Sequence, residues 1–151
     1  MFSHVVVGAN DLERAKCFYD AVLGTLGHGK AQRRAKGDYI YLSDGASFIV
    51  TRPINGDPAS HANGGTIGFV CQSTDQVDLW HAAGIANGGK SIEDPPGVRN
   101  TEGGRLYLAY MCDPDGNKLC ALYRVAGDAS DTTASCVTTE RPRLAGPTTP
   151  H

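Results

Sequence analysis

The feature that most restricts how this chain can fold is an internal repeat. A β-branched strand, an amphipathic helix and a hairpin around an Asp-Gly turn follow one another twice. The first-strand positions His4 and Thr66 lie 62 residues apart, and the turn glycines Gly45 and Gly116 lie 71 apart. The second half therefore carries the longer loop. Neither half is large enough to bury its own sheet well. Two such halves packed face to face solve that problem and leave a concave groove between them. The expected class is α+β, with two like modules related by pseudo-two-fold symmetry.

Local signals place the elements. Residues 5–7, all valine, end at Gly8 and read as a short buried strand. Asn10 is the expected N-cap of the first helix, with Glu13 completing a capping box. Leu12, Ala15, Phe18, Tyr19, Val22 and Leu23 recur at helical spacing, which predicts a helix over residues 11–23 stopped by Gly24. Residues 28–37 are polar and basic, with Lys30, Arg33, Arg34 and Lys36; they read as a solvated edge strand or loop, with an anion site as the alternative. Residues 39–42 and 48–51 flank Ser43-Asp44-Gly45-Ala46 as a hairpin. Residues 55–65 read as a linker. In the second half, residues 66–71 form a strand, and Ser73 caps a helix with Gln76 in the box position. Val77, Trp80 and Ala83-Gly84 mark its apolar side, and Gly88-Gly89 ends it. Residues 91–104 are expected to be a loop holding one weak strand. The strands 106–111 and 119–123 flank Asp113-Pro114-Asp115-Gly116-Asn117, a turn with Gly in the left-handed position. The modules are thus 1–53 and 65–124 of one domain. Residues 125–151 are poor in large apolar side chains and read as a disordered or loosely draped tail.

Charge and cysteine usage exclude several classes. Fourteen basic against sixteen acidic residues leave a formal charge of -2. Non-specific nucleic-acid binding and a polybasic membrane patch both need the opposite balance. No apolar run approaches the roughly 18 residues of a spanning helix. The start lacks the basic region of a signal peptide, so the cytoplasm is the expected compartment. The five cysteines, Cys17, Cys71, Cys112, Cys120 and Cys136, are odd in number and have no C-x-x-C spacing; free thiols are expected, not a zinc knot. There is no G-x-G-x-x-G after the first strand, no Ser-His-Asp elbow, no phosphate loop and no H-E-x-x-H.

Taken in order, His4, the segment Asn10-Asp11-Leu12-Glu13-Arg14-Ala15 leading to Phe18-Tyr19 and Leu23-Gly24, the Ser73-capped helix and Asp113-Pro114-Asp115-Gly116-Asn117 before a final strand resemble the vicinal oxygen chelate superfamily. That group holds glyoxalase, bleomycin-resistance proteins and extradiol dioxygenases, and the chain is similar in particular to short bacterial glyoxalase-like proteins. The resemblance spans residues 1–124. It implies paired βαβββ modules, a homodimer, a small organic molecule as partner, and no cofactor or a single divalent metal in the groove.

In such proteins one metal ligand lies on the first strand of each module and another on the strand after each Asp-Gly turn. Those positions are His4, Thr66, Ile49 and Cys120 here. Thr66 is a weak neutral oxygen donor and Ile49 offers none. His4 and Cys120 are the candidate metal ligands, and the soft thiol suits zinc before magnesium. A glyoxalase would also use a carboxylate where Cys120 stands. Tyr107 joins these four as a candidate groove residue, on the premise that it shares a face with Cys120. His61, Arg52 and Arg124 are secondary candidates. Three readings follow from the resemblance. The leading one is a small-molecule-binding protein with a depleted metal site and no assigned activity. The others are a divalent-metal-dependent lyase or isomerase of the glyoxalase (lactoylglutathione lyase) type, with dioxygenase-like chemistry also open, and a drug-sequestering resistance protein.

Overall fold

The computed structural model describes residues 1–126, so the expected tail lies almost wholly outside the described residues. The elements run β1 (His4–Gly8), α1 (Leu12–Thr25), β2 (Gln32–Arg33), β3 (Tyr39–Ser43), β4 (Ala46–Thr51), β5 (Ile67–Val70), α2 (Thr74–Ala86), β6 (Lys90–Thr101), β7 (Gly104–Cys112) and β8 (Lys118–Arg124). They form two four-stranded sheets, ordered β1-β4-β3-β2 and β5-β8-β7-β6. In each sheet the first strand runs parallel to the last, and the other pairings are antiparallel. This is the βαβββ plan twice.

The duplication extends to the register. Val5 lies opposite Phe48 and Val6 opposite Ile49 in one sheet. Ile67 lies opposite Leu119 and Gly68 opposite Cys120 in the other. Each sheet then turns alternate side chains to opposite faces. Val5, Val7, Phe48, Val50, Tyr39 and Tyr41 face the helices in the first sheet; Ile67, Phe69, Leu119, Ala121, Tyr107, Ala109 and Met111 do so in the second. One core joins both modules, with Phe18, Tyr19, Val22 and Trp80 fully buried in it. A chain of rings runs through it from Tyr19 to Phe48, Phe69 and Trp80, at centroid spacings of 4.8, 5.9 and 6.1 Å.

The modules meet chiefly where α1 crosses α2. Gly84 makes that crossing close: a Cβ there would lie 2.2 Å from Met111 Sδ and 3.2 Å from Val22 Cγ1. A second contact is a clasp at the Asp113–Asn117 turn. Asp113, nearly fully buried, accepts from the Tyr19 hydroxyl at 2.6 Å and from the backbone N–H of Asp115 and Asn117. Burial and the adjacent Asp113 carboxyl both push the Tyr19 hydroxyl up, so it stays protonated as the donor. Asp115 accepts from Asn10 backbone and side chain, each at 3.0 Å, and Asn117 Nδ2 reaches Gly8 O. Gly116 permits the turn with φ at 95°, and the His61 ring packs beside it.

Three local expectations are corrected. Asp11, not Asn10, caps α1, accepting from the Arg14 N–H at 3.0 Å. Asn10 is instead committed to Asp115 and Ala59, and Glu13 to the Tyr39 hydroxyl, so tertiary partners displace the local box. Gly24 does not stop α1, which runs on to Thr25 and is capped at Leu26. Most of residues 91–104 is strand, because β6 is the sheet edge, where Pro is tolerated; Pro95 and Pro96 fall in a bulge between Ile92 and Gly97. The Ser73 cap stands as expected, accepting from Gln76 N at 3.1 Å. Cys17, Cys71, Cys112 and Cys120 are free thiols, while Cys136 lies outside the described residues. Among the described residues no helix is long and apolar enough to cross a membrane.

Candidate functional site

The helices cover one face of each sheet, and the other faces carry four of the five candidate positions or their neighbours. On the first sheet the face opposite α1 presents the rows His4-Ser47-Leu42 and Val6-Ile49-Ile40. His4 is exposed, with Nδ1 2.8 Å from Ser3 Oγ, and Ile49 is largely buried yet outside the helix-side core. On the second sheet the equivalent rows are Gly68-Cys120-Tyr110-Ile92 and Val70-Leu122-Leu108-Gly97. Thr66 is exposed and lies just ahead of β5, one residue before Ile67 as His4 is before Val5. Register thus makes His4 equivalent to Thr66 and Ile49 to Cys120. The two sets sit on separate sheets, and no described hydrogen bond joins them.

Tyr107 is placed elsewhere. Its ring packs on the helix-side core and its hydroxyl donates to Asp78 of α2 at 3.0 Å. The reason is register. Across the Asp113–Asn117 turn, Cys112 pairs with Lys118, so Tyr110 pairs with Cys120 and Tyr107 with Tyr123. Tyr110 therefore holds the place beside Cys120.

Around that pair lies a polar cluster that reading the residues singly misses. Lys118 shares the Cys120 face of β8, with Nζ 4.8 Å from the Tyr110 ring centroid and an ion pair to Glu93. Glu93 opens the β6 bulge at φ 58°, the one positive φ outside glycine among the described residues. A bulky residue held in that region costs on the order of 1–3 kcal/mol and is found where surrounding structure over-determines it, often at functional sites. Arg99 braces the bulge, donating to Pro95 O at 2.8 Å. Burial, with the Glu93 charge, pushes the Cys120 thiol up, against the lowering effect of Tyr110 and Lys118. Burial and Cys120 also raise the Tyr110 hydroxyl. Both groups are therefore neutral near pH 7. A hollow of about 370 Å³ lies around the far ends of β5 and β8, lined by Gly68, Phe69, Val70, Cys71, Leu122, Tyr123 and Arg124; none of Glu93, Tyr110, Lys118 and Cys120 lines it.

The donor set does not fit a resident divalent metal. Ile49 has no donor atom, Thr66 offers a neutral hydroxyl, and the raised Cys120 thiol resists becoming the thiolate that binds metal. Among the described residues no three His, Cys, Asp or Glu side chains group closely enough to hold an ion. A separate hollow of about 710 Å³ lies at the start of α1, where Arg33, Lys36 and Arg52 meet Asp11, Glu13 and Asp38. Charges of both signs line it, and none of the five candidate positions does.

The family model described as Glyoxalase/Bleomycin resistance protein/Dioxygenase superfamily matches residues 1–121. A glyoxalase/bleomycin resistance protein from Albidiferax ferrireducens T118 is 59% identical, with 82% of this chain and 99% of that one covered and a TM-score of 0.79. A glyoxalase/bleomycin resistance protein/dioxygenase family enzyme from Burkholderia phytofirmans PsJN is 17% identical, covering 82% and 98%, with a TM-score of 0.62. A lactoylglutathione lyase from Agrobacterium tumefaciens is 21% identical, covering 81% and 92%, with a TM-score of 0.56. The last two are likenesses of fold alone. No curated protein sequence matches the chain.

Proposed function

The chain belongs to the glyoxalase/bleomycin resistance protein/dioxygenase superfamily, and from that premise we propose that it binds a small organic molecule on the helix-free faces of its sheets, in a groove completed by a second copy. The observation that carries this reading is the strained Glu93 with Lys118, Tyr110 and Cys120 on one such face. A few convergent polar groups beside an apolar row are what a small-molecule site presents. The exposed apolar residues Val6, Leu42 and Val70 on the same faces support a covering partner.

The test is a thermal-shift screen of small organic acids, amides and amines against the full chain. Ligands of this site should lose their shift in Cys120→Trp, which fills the face, and keep it in Tyr107→Phe on the opposite face. Shifts unchanged in Cys120→Trp, or no saturable ligand at all, overturn the reading.

The metal-dependent lyase reading lacks the donor set described above. Elemental analysis of protein purified without chelator or affinity tag should give well under one divalent metal per chain. A stoichiometric metal lost in His4→Ala would restore that reading. A drug-sequestering groove would be lined with aromatic rings; of the aromatic strand residues described, only Tyr110 lies on a helix-free face, and the others point to the core.

A further inference from the structure

The helix-free face of the second sheet is graded along its strands. Lys118 stands at one end, the Cys120-Tyr110 row comes next, and the Leu122-Leu108-Val70 row follows. Alternate residues on a strand advance about 7 Å, so the Cα atoms of Lys118 and Leu122 are about 13 Å apart, with the ammonium turned over the Tyr110 ring between them. The cation is only one-third exposed, at 34%, and its one anionic partner among the described residues is Glu93, itself 46% exposed. Glu93 makes that pairing from a backbone conformation that glycine favours and glutamate does not. An exposed ion pair contributes little, and here it is made from a strained residue. Glu93 is thus a weakly held internal anion on a cation that faces an apolar row.

Resting on the small-molecule reading above, we propose that the ligand is an apolar monocarboxylate. Its carboxylate replaces Glu93 on Lys118, and its body lies across Cys120-Tyr110 toward Leu122, Leu108 and Val70. Tyr110 and Cys120, both neutral, let an apolar body pass where a carboxylate or imidazole would not. Gly68 at the edge of the row leaves open space above the strand, with no atom within 4 Å of where its Cβ would be. Release of Glu93 lets the bulge relax, so binding and the bulge conformation are coupled.

The probes are naphthalene carboxylate and its neutral amide, titrated calorimetrically into the full-length chain. The carboxylate should bind more tightly than the amide. Lys118→Met should weaken the carboxylate about tenfold or more and leave the amide unmoved, since a charge-assisted contact is lost. Lys118→Arg should keep most of the carboxylate affinity, which separates charge from folding. Glu93→Gln should tighten the carboxylate by removing its competitor. Equal binding of both probes, insensitive to Lys118→Met, overturns the anion assignment and leaves the small-molecule reading standing. Loss of carboxylate affinity in Glu93→Gln also overturns it, because Glu93 would then be a binding group and not a competitor. No binding of either probe, together with an empty thermal-shift screen, removes both.

Discussion

Asp113 does more for this molecule than any residue nominated for chemistry. Its carboxyl group takes four donors: Tyr19 Oη, two backbone N–H groups and Asn117 Nδ2. Asp113→Ala leaves buried donors unpaired at a junction of both modules and should cost about 3 kcal/mol. Tyr19→Phe removes one donor and should cost about 1–2 kcal/mol. Urea unfolding followed by circular dichroism measures both, and a smaller loss for Asp113→Ala than for Tyr19→Phe would refute the clasp. Asp38 gives a pH signature. The Arg34 guanidinium bonded to it, with Lys36 nearby, holds its carboxyl down at about 2 against an ordinary 3.8, despite burial. A depressed carboxyl stabilises the fold above about pH 4, and that stability is lost as pH falls toward 2. Each unit is worth about 1.4 kcal/mol for a sheltered pair, but Arg34 and Lys36 are open to solvent and screening holds the contribution to about 1 kcal/mol. Asp38→Asn should therefore be less stable than wild type at pH 7, and the gap should close near pH 2. A gap that persists there rules the ion pair out as its source.

At the scale of elements, most of the fold was legible in the sequence because strand, helix and turn signals recur in one order. Ser73 could be read as a cap because its partner is local. Asn10 could not be excluded as one, because what claims it is Asp115, 105 residues away. The Tyr107 placement was within reach: counting outward from a five-residue turn pairs Cys120 with Tyr110. Glu93 was not legible, since nothing in Ser-Ile-Glu-Asp-Pro-Pro-Gly marks which residue takes the left-handed conformation. The bulge supplies its own test. Glycine inside a strand ordinarily costs stability, yet Glu93→Gly removes strain and should hold or raise stability by up to about 1 kcal/mol, even though it breaks the ion pair. The urea midpoint reports this, and a loss above about 1 kcal/mol would show that the pair with Lys118 outweighs the strain.

At the scale of the whole molecule, the helix-free faces are less well covered than the core demands. Val6 is 49% exposed, Leu42 58% and Val70 78%. If a second copy covers them, sedimentation should give twice the chain mass, and the pair Val6→Glu with Leu42→Glu should shift it to monomer with the fold retained. A wild-type monomer would leave the groove open on one side. The clasp has another consequence, for the history of the duplicated halves. Among the described residues the Asp44-Gly45 turn makes no hydrogen bond to the other half, whereas its counterpart grips the start of the other half. The copies are therefore no longer interchangeable. A permuted chain that opens in the linker could keep the grip, but one built from two first halves would carry a turn with nothing to hold.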